Sequence, residues 1–162
     1  MDTLWHEVWR GVQSDFADLP GVAAVTQSVL RLLLAALLGG LVGFQREQAG
    51  KAAGLRTHML VALGSAFFVM IPHQAGMPMA DLSRVLQGII TGVGFLGAGT
   101  ILKRPTEEHI EGLTTAAGLW LTAAVGSAAG MGREASAVLG TVLAFLTLAV
   151  LPRVKPPTNS KE

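Results

Sequence analysis

Long stretches without a charged side chain set the pattern of this sequence. Three of them contain at least 18 residues, and they lie between Arg84 and Lys103, between Glu111 and Arg133, and between Glu134 and Arg153. An α-helix needs about 20 apolar residues to cross the hydrocarbon core of a bilayer. The three stretches therefore predict transmembrane helices near 85–102, 113–131 and 135–152.

Two further apolar stretches precede these three. One extends over about 29–45 with Arg31 at its outer end, and the other over about 57–72 with His58 near its start and Pro72 at its end. Together the five stretches predict an all-α fold, an integral membrane protein built as a compact bundle of about five transmembrane helices.

The N-terminal segment has a different pattern. Trp5, Trp9, Val12 and Phe16 recur at helical spacing and form one apolar stripe. A tryptophan-bearing amphipathic helix of this kind is typical of the lipid headgroup layer, and a frayed, solvated leader is the alternative. The predicted organisation is an interfacial segment over 1–25, a transmembrane domain over 26–152, and a disordered polar tail over 153–162 with no soluble domain after it.

Composition agrees with a membrane protein. Hydrophobic residues make up 51% of the chain and charged residues 14%, whereas an ordinary soluble domain has about 25% charged residues. The formal net charge of +1 gives no reason to expect nucleic acid as a partner. The absence of cysteine excludes disulfides, thiolate metal sites and cysteine nucleophiles.

The basic residues predict an orientation. Five spans place eight of them on one face of the membrane, namely Arg46, Lys51, Arg56, Lys103, Arg104, Arg153, Lys155 and Lys161, and the other four, Arg10, Arg31, Arg84 and Arg133, on the opposite face. Under the positive-inside rule this bias predicts a cytoplasmic C-terminus and an N-terminus outside.

Small residues recur every fourth position in four of the predicted spans. Such stripes allow close helix contact, which drives association where lipid removes the hydrophobic effect. The stripes comprise Ala35, Gly39 and Gly43; Gly88 and Gly92; Gly118, Thr122, Gly126 and Gly130; and Ser136, Gly140 and Ala144. Glycine-rich membrane helices in general are the alternative explanation.

The third span carries further glycines, at Gly94, Gly97 and Gly99. Gly92, Gly94 and Gly97 have the G-x-G-x-x-G spacing of a dinucleotide site, but they lie inside an apolar span rather than after a strand, so no NAD is expected. Because these glycines occupy several faces of the helix, we expect the span at the bundle centre, with contacts on several sides or a local break.

Polar residues collect at the ends of the predicted spans. Arg46, Arg56, Thr57 and His58 form a cytoplasmic cluster suited to an anionic headgroup, an acidic partner or a bound anion, or reflect only topology. Asp81 and Arg84 are spaced for an ion pair or act as separate anchors. Thr114 and Thr115 begin the fourth span, where their hydroxyls accept an anion or merely cap the helix.

Chemistry typical of an enzyme is missing from the sequence. No carboxylate lies inside the spans, and no nucleophile, acid–base pair or metal-ligand set is recognisable. The acidic stretch with Glu107, Glu108, His109 and Glu111 is expected to be solvated. We therefore expect neither catalysis nor a cofactor nor a bound metal.

Three motifs occur in order: "GLRTHMLVALGSA", "GVGFLGAGTIL", which "SRVLQGIITG" leads, and "GLTTAAGLWLTAAVG". With these motifs the chain resembles the membrane domain of the MgtC/SapB family from about Arg31 to Leu151. The resemblance implies a bacterial inner-membrane protein linked to survival at low magnesium and, in pathogens, to growth inside macrophages (virulence). It also implies candidate functional residues at Arg46, Arg56, Thr57, His58, Asp81, Arg84, the glycines of 92–99, Thr114 and Thr115.

Two departures from the family pattern limit what is transferred. Gln45, Arg46 and Glu47 stand where members often have Glu-Arg-Glu, so a charge pair there is in doubt. We also expect no counterpart of the soluble C-terminal domain that many members carry.

We expect a non-enzymatic function that depends on helix contacts, in a homo-oligomer or with a membrane partner. The resemblance implies the ATP synthase membrane sector as one such partner. The helices are expected to be surrounded by membrane lipids. The alternative is a channel or transporter for a small ion or solute along the glycine-rich third span.

Overall fold

A computed structural model describes residues 2–15, 17, 21–103 and 110–150. The chain divides into two compact units, residues 1–30 and 31–162. The α-helices are α1 (Asp2–Asp15), α2 (Val22–Gln48), α3 (Leu55–Gln74), α4 (Met79–Gly99), α5 (Leu113–Gly130) and α6 (Glu134–Phe145), and a short π-helix, Leu146–Val150, continues α6. The predicted tail over 153–162 and the acidic residues 107–109 lie outside the described residues.

The first unit contains α1, which confirms a helix over the tryptophan stripe. Trp5, Trp9 and Val12 are all exposed along one side of it. Phe16, the last member of the stripe, lies outside the described residues. An exposed apolar stripe is what binding at a membrane surface requires, and that location stays a prediction.

The five predicted spans correspond to α2–α6, which confirms an all-α, membrane-like bundle. Of the described helices, α2, α3 and α4 are both long and apolar enough to cross a membrane. The helix α5 is 18 residues long and rich in glycine, threonine and serine, while α6 is a shorter apolar helix. The three glycines, the serine and two of the three threonines of α5 are buried within the bundle.

The centre of the second unit is α5, which corrects the expected central placement of the third span. Buried residues of α5 recur along its whole length, from Thr115 to Gly130, whereas those of α4 are Leu82, Val93 and Gly97. Moreover, α4 is a continuous helix from Met79 to Gly99. The glycine content of α4 suggested contacts on several sides, but among the described residues its main helix contacts are with α3 and α5.

Close backbone contact joins α3 to its neighbours. A methyl group added at Gly126 or Gly130 of α5 would collide with the backbone of Ala62 or Ala66 of α3. On α2, a methyl group at Gly39 would lie 2.7 Å from the carbonyl oxygen of His58. The missing side chains therefore let three helices touch along small-residue stripes.

The remaining glycines of α4 have a different environment. A methyl group at Gly88, Gly92, Gly94 or Gly99 would meet open space, whereas one at Gly97 would lie 3.4 Å from the Ala116 side chain of α5. Four of the five glycines predicted to pack on this helix thus have no close neighbour from another described helix. Within the described part of the chain, these four glycines are left open to another molecule.

A short turn region connects α4 to α5. Two antiparallel segments, Leu102–Lys103 and Ile110–Glu111, pair with each other. Gly112 then adopts φ +93°, and a side chain there would strike the carbonyl group of Thr100. This close approach fixes the position at which α5 begins.

Candidate functional site

A buried polar cluster lies where α2, α3 and α5 meet. Arg46 is only 4% exposed, and its Nη2 donates a hydrogen bond of 3.2 Å to Oγ1 of Thr115. His58 is fully buried, and its Nε2 lies 3.6 Å from the position that a methyl group at Gly118 would occupy. Since Thr115 and Gly118 share one face of α5, the structure brings Arg46, His58 and Thr115 together. Arg56 and Thr57 are not part of this cluster.

The protonation pattern of His58 follows from its hydrogen bond. Its Nδ1 lies 3.0 Å from the carbonyl oxygen of Gly54, one turn earlier on α3. A carbonyl oxygen only accepts hydrogen bonds, so Nδ1 carries the proton and donates it. In the neutral ring Nε2 is then an acceptor, and it is buried and makes no hydrogen bond with the described residues.

The Arg46 guanidinium is held by its surroundings rather than by a neighbouring acid. Its Nε is buried, and no hydrogen-bond partner for it is found in the described part of the chain. Glu47, the next residue, instead accepts a hydrogen bond of 2.7 Å from the backbone N–H of Leu55 and caps the first turn of α3. The charge pair placed in doubt at this motif is accordingly absent from the described residues, and Glu47 serves the helix start instead.

Two side chains of α2, Gln45 and Arg31, make further interhelical contacts that were not anticipated from the sequence. Gln45 Nε2 donates to the carbonyl oxygen of Leu148 at 3.2 Å, near a helix end where carbonyls lack intrahelical partners. Nearer the start of α2, Arg31 lies 3.5 Å from the carbonyl oxygen of Gly130 and 3.9 Å from a carboxylate oxygen of Glu134. Spacing along the chain carries no signal for either contact, because the partners are about a hundred residues apart.

Arg56 and Thr57 lie at one end of an apolar groove between α3 and α4. Both side chains are exposed, and the groove has a volume of about 730 Å³. The cytoplasmic cluster predicted from the sequence is therefore split. Arg46 and His58 point into the bundle, while Arg56 and Thr57 face the groove.

The other predicted polar residues stay apart. Asp81 and Arg84 are exposed near the start of α4, and across the described residues the ion pair found is the one between Arg31 and Glu134, not one between these two. Asp81 lies in the first helical turn, where its negative charge interacts favourably with the positive end of the helix dipole. Thr114 is exposed although its neighbour Thr115 is buried.

A polar residue also lies near the middle of the exposed surface of α4. Gln87 is exposed, and within the described part of the chain no hydrogen bond of its side-chain amide is found. Thr91 and Gly94, also exposed, lie on the same side of the helix. We refer to Gln87, Thr91 and Gly94 as the outer face of α4. Gln87 is not among the residues expected from the sequence, since one uncharged amide does not interrupt the apolar span.

Comparison with known proteins gives a consistent result. The model of the MgtC family matches residues 32–156. The chain is similar to protein SrpB of Synechococcus elongatus, with 46% identity over 77% of this chain and 75% of that protein. It is 42% identical to the "Putative magnesium transporter YhiD" of Escherichia coli, over 75% of this chain and 59% of that protein.

A third relative, protein MgtC of Brucella abortus, is 44% identical over 71% of this chain. The match covers 47% of that protein, so the chain spans about half the length of this relative. No solved structure matches.

Proposed function

Since the chain belongs to the MgtC family, we propose that it is a non-enzymatic inner-membrane protein that helps bacteria adapt to low magnesium and, in pathogens, survive inside host cells. It acts by helix contacts, in a homo-oligomer or with a membrane partner such as the ATP synthase membrane sector. Among its relatives, the names MgtC and YhiD support the link with magnesium.

The outer face of α4 is the observation that carries this proposal. Gln87 lies near the middle of a helix apolar enough to cross a membrane, and its exposed amide would face hydrocarbon in the isolated chain. Amide side chains at that depth hydrogen-bond across helices, and small residues such as Thr91 and Gly94 let a second helix approach. A partner helix on this face would satisfy both requirements.

The packing of the bundle supports an interaction protein as well. The region between α3 and α5 is filled by backbone contacts at Gly126 and Gly130. Thr122 and Thr141 are buried, but their hydroxyls donate to carbonyl oxygens of their own helices. Surfaces on the outside of the bundle, above all on α4, are thus the ones left for recognition.

Transport is the alternative, and one observation favours it. The groove between α3 and α4 follows the glycine-rich helix, as a path along that helix would. Flux of magnesium into liposomes that contain the purified protein would support transport. Equal flux with and without protein, together with capture of a partner, would support the interaction function.

The test is capture of partners from native membranes. Tagged wild-type protein is expected to co-purify with a second copy or another membrane protein, identified by mass spectrometry and cross-linking. Gln87→Leu should lose that partner, because the interhelical hydrogen bond is removed. Gln48→Leu, an equal change at an exposed position at the end of α2, is the matched control and should retain it. Full partner recovery with Gln87→Leu would contradict the proposal.

A further inference from the structure

The groove between α3 and α4 is apolar along its length and polar at one end. Gly64 and Phe68 line it on α3, and Gly88, Gly92 and Leu96 line it on α4. Its one charged lining residue is Arg56, with the Thr57 hydroxyl beside it.

The length of the groove matches one leaflet of a bilayer. From Arg56 to Phe68 it follows 12 residues of α3, or about 18 Å at the helical rise of about 1.5 Å per residue. One leaflet contributes roughly 15 Å of hydrocarbon, half of the membrane core. A transmembrane helix needs about twice that length, so the groove is too short to seat one over its full span.

The positive charge at the end of the groove indicates which chemical group a bound molecule would place there. Arg56 is exposed and makes no ion pair with the described residues. A guanidinium beside a hydroxyl is suited to a phosphate group, which accepts hydrogen bonds from both. A molecule with a phosphate at one end and an apolar chain of leaflet length is an anionic phospholipid.

We propose that the α3–α4 groove is a binding site for one anionic phospholipid, with an acyl chain along Gly64, Gly88 and Gly92 and the phosphate at Arg56 and Thr57. The glycines supply the space, because a side chain at any of the three would project into the groove. This site is separate from the outer face of α4, since Gly94 lies about 160° around the helix from Gly92.

Native mass spectrometry of the purified chain in a neutral detergent tests the proposal. The probes are phosphatidylglycerol and phosphatidylcholine with identical acyl chains. The wild type should retain one phosphatidylglycerol per chain and prefer it by about fivefold, the contribution of one arginine to binding an anionic lipid. Arg56→Gln should bring that preference close to one. Arg84→Gln, which removes an exposed arginine elsewhere, should leave it unchanged.

A second experiment fills the groove with larger side chains and measures the bound lipid again. A methyl group at Gly64, Gly88, Gly92 or Gly94 meets open space, and an unchanged melting temperature is required of each leucine variant to show that it folds. Gly64→Leu, Gly88→Leu and Gly92→Leu should each lose the bound lipid. Gly94→Leu is the matched control, because it adds the same side chain outside the groove, and it should retain the lipid.

Several outcomes would overturn the assignment. Folded groove variants that retain phosphatidylglycerol like the wild type would exclude the site. Displacement of the lipid by millimolar inorganic phosphate would assign Arg56 to a free anion instead. Loss of a co-purifying protein from the groove variants, with lipid binding unchanged, would assign the groove to a protein. None of these results bears on Gln87, so the lipid site and the proposed function fail independently.

Discussion

At the scale of the residue, the buried arginine is the most informative feature. A charged group removed from water is costly unless hydrogen bonds and opposite charges compensate it. Arg46 donates a hydrogen bond to the Thr115 hydroxyl, while its buried Nε has no hydrogen-bond partner among the residues that the structure describes. This one side chain therefore makes the junction of α2 and α5 sensitive to small changes in polarity.

Replacing Thr115 by valine tests that sensitivity. The change preserves the shape but removes the acceptor of the Arg46 hydrogen bond, and we expect the free energy of unfolding to fall by about 1–3 kcal/mol. Thr114→Val is the control, because Thr114 is exposed, and its effect should stay within about 0.5 kcal/mol. Unfolding in detergent, followed by circular dichroism, measures both. Equal effects of the two variants would show that the buried hydrogen bond contributes nothing.

At the scale of the element, the same residue type has opposite roles on two helices. Glycines of α5 lie against the backbone of α3, whereas most glycines of α4 face open space. The periodicity of small residues identifies both stripes equally well. It contains no information on which stripe the chain covers itself and which one it leaves for another molecule.

Alanine substitution separates the two roles. Gly126→Ala places a methyl group against the carbonyl group of Ala62, and overpacking of this kind typically costs about 1–3 kcal/mol. Gly99→Ala adds the same methyl group in open space and should leave stability unchanged or raise it by up to about 1 kcal/mol, since alanine favours a helix. Thermal unfolding of the two variants measures the difference. A Gly126→Ala variant as stable as Gly99→Ala would refute the close contact.

At the scale of the whole molecule, orientation in the membrane is the main quantity to test. The positive-inside bias predicts that the α2–α3 connection is cytoplasmic and the α5–α6 connection is outside. Lys51 and Arg133, one in each connection, are both exposed. They lie at opposite ends of the packed helices if the predicted number of spans is correct.

Single cysteines make this prediction directly measurable, because the chain has no cysteine of its own. In intact cells, a membrane-impermeant maleimide should label Arg133→Cys and leave Lys51→Cys unlabelled. After permeabilisation both should react, which controls for accessibility of the two thiols. The reverse labelling in intact cells would invert the predicted topology, and labelling of both would contradict an odd number of spans between them.

The sequence by itself determined the helical membrane architecture, because uncharged runs of 18 or more residues have few alternatives to a lipid-soluble helix. It also identified Arg46, His58 and Thr115 as polar residues near span ends, and the small-residue stripes of α2 and α5. In each case the signal was local in the chain, as spacing or composition within one helix.

The tertiary structure alone decided which helix is central, which arginine is buried and which is exposed. Arg46 and Arg56 are alike in sequence context, yet the fold places one against Thr115 and the other at the end of an apolar groove. The exposed surface of α4 is likewise decided by the tertiary structure, because it depends on where α3 and α5 pack. These outcomes follow from contacts between residues distant in the chain, and the periodicity of a single helix does not encode them.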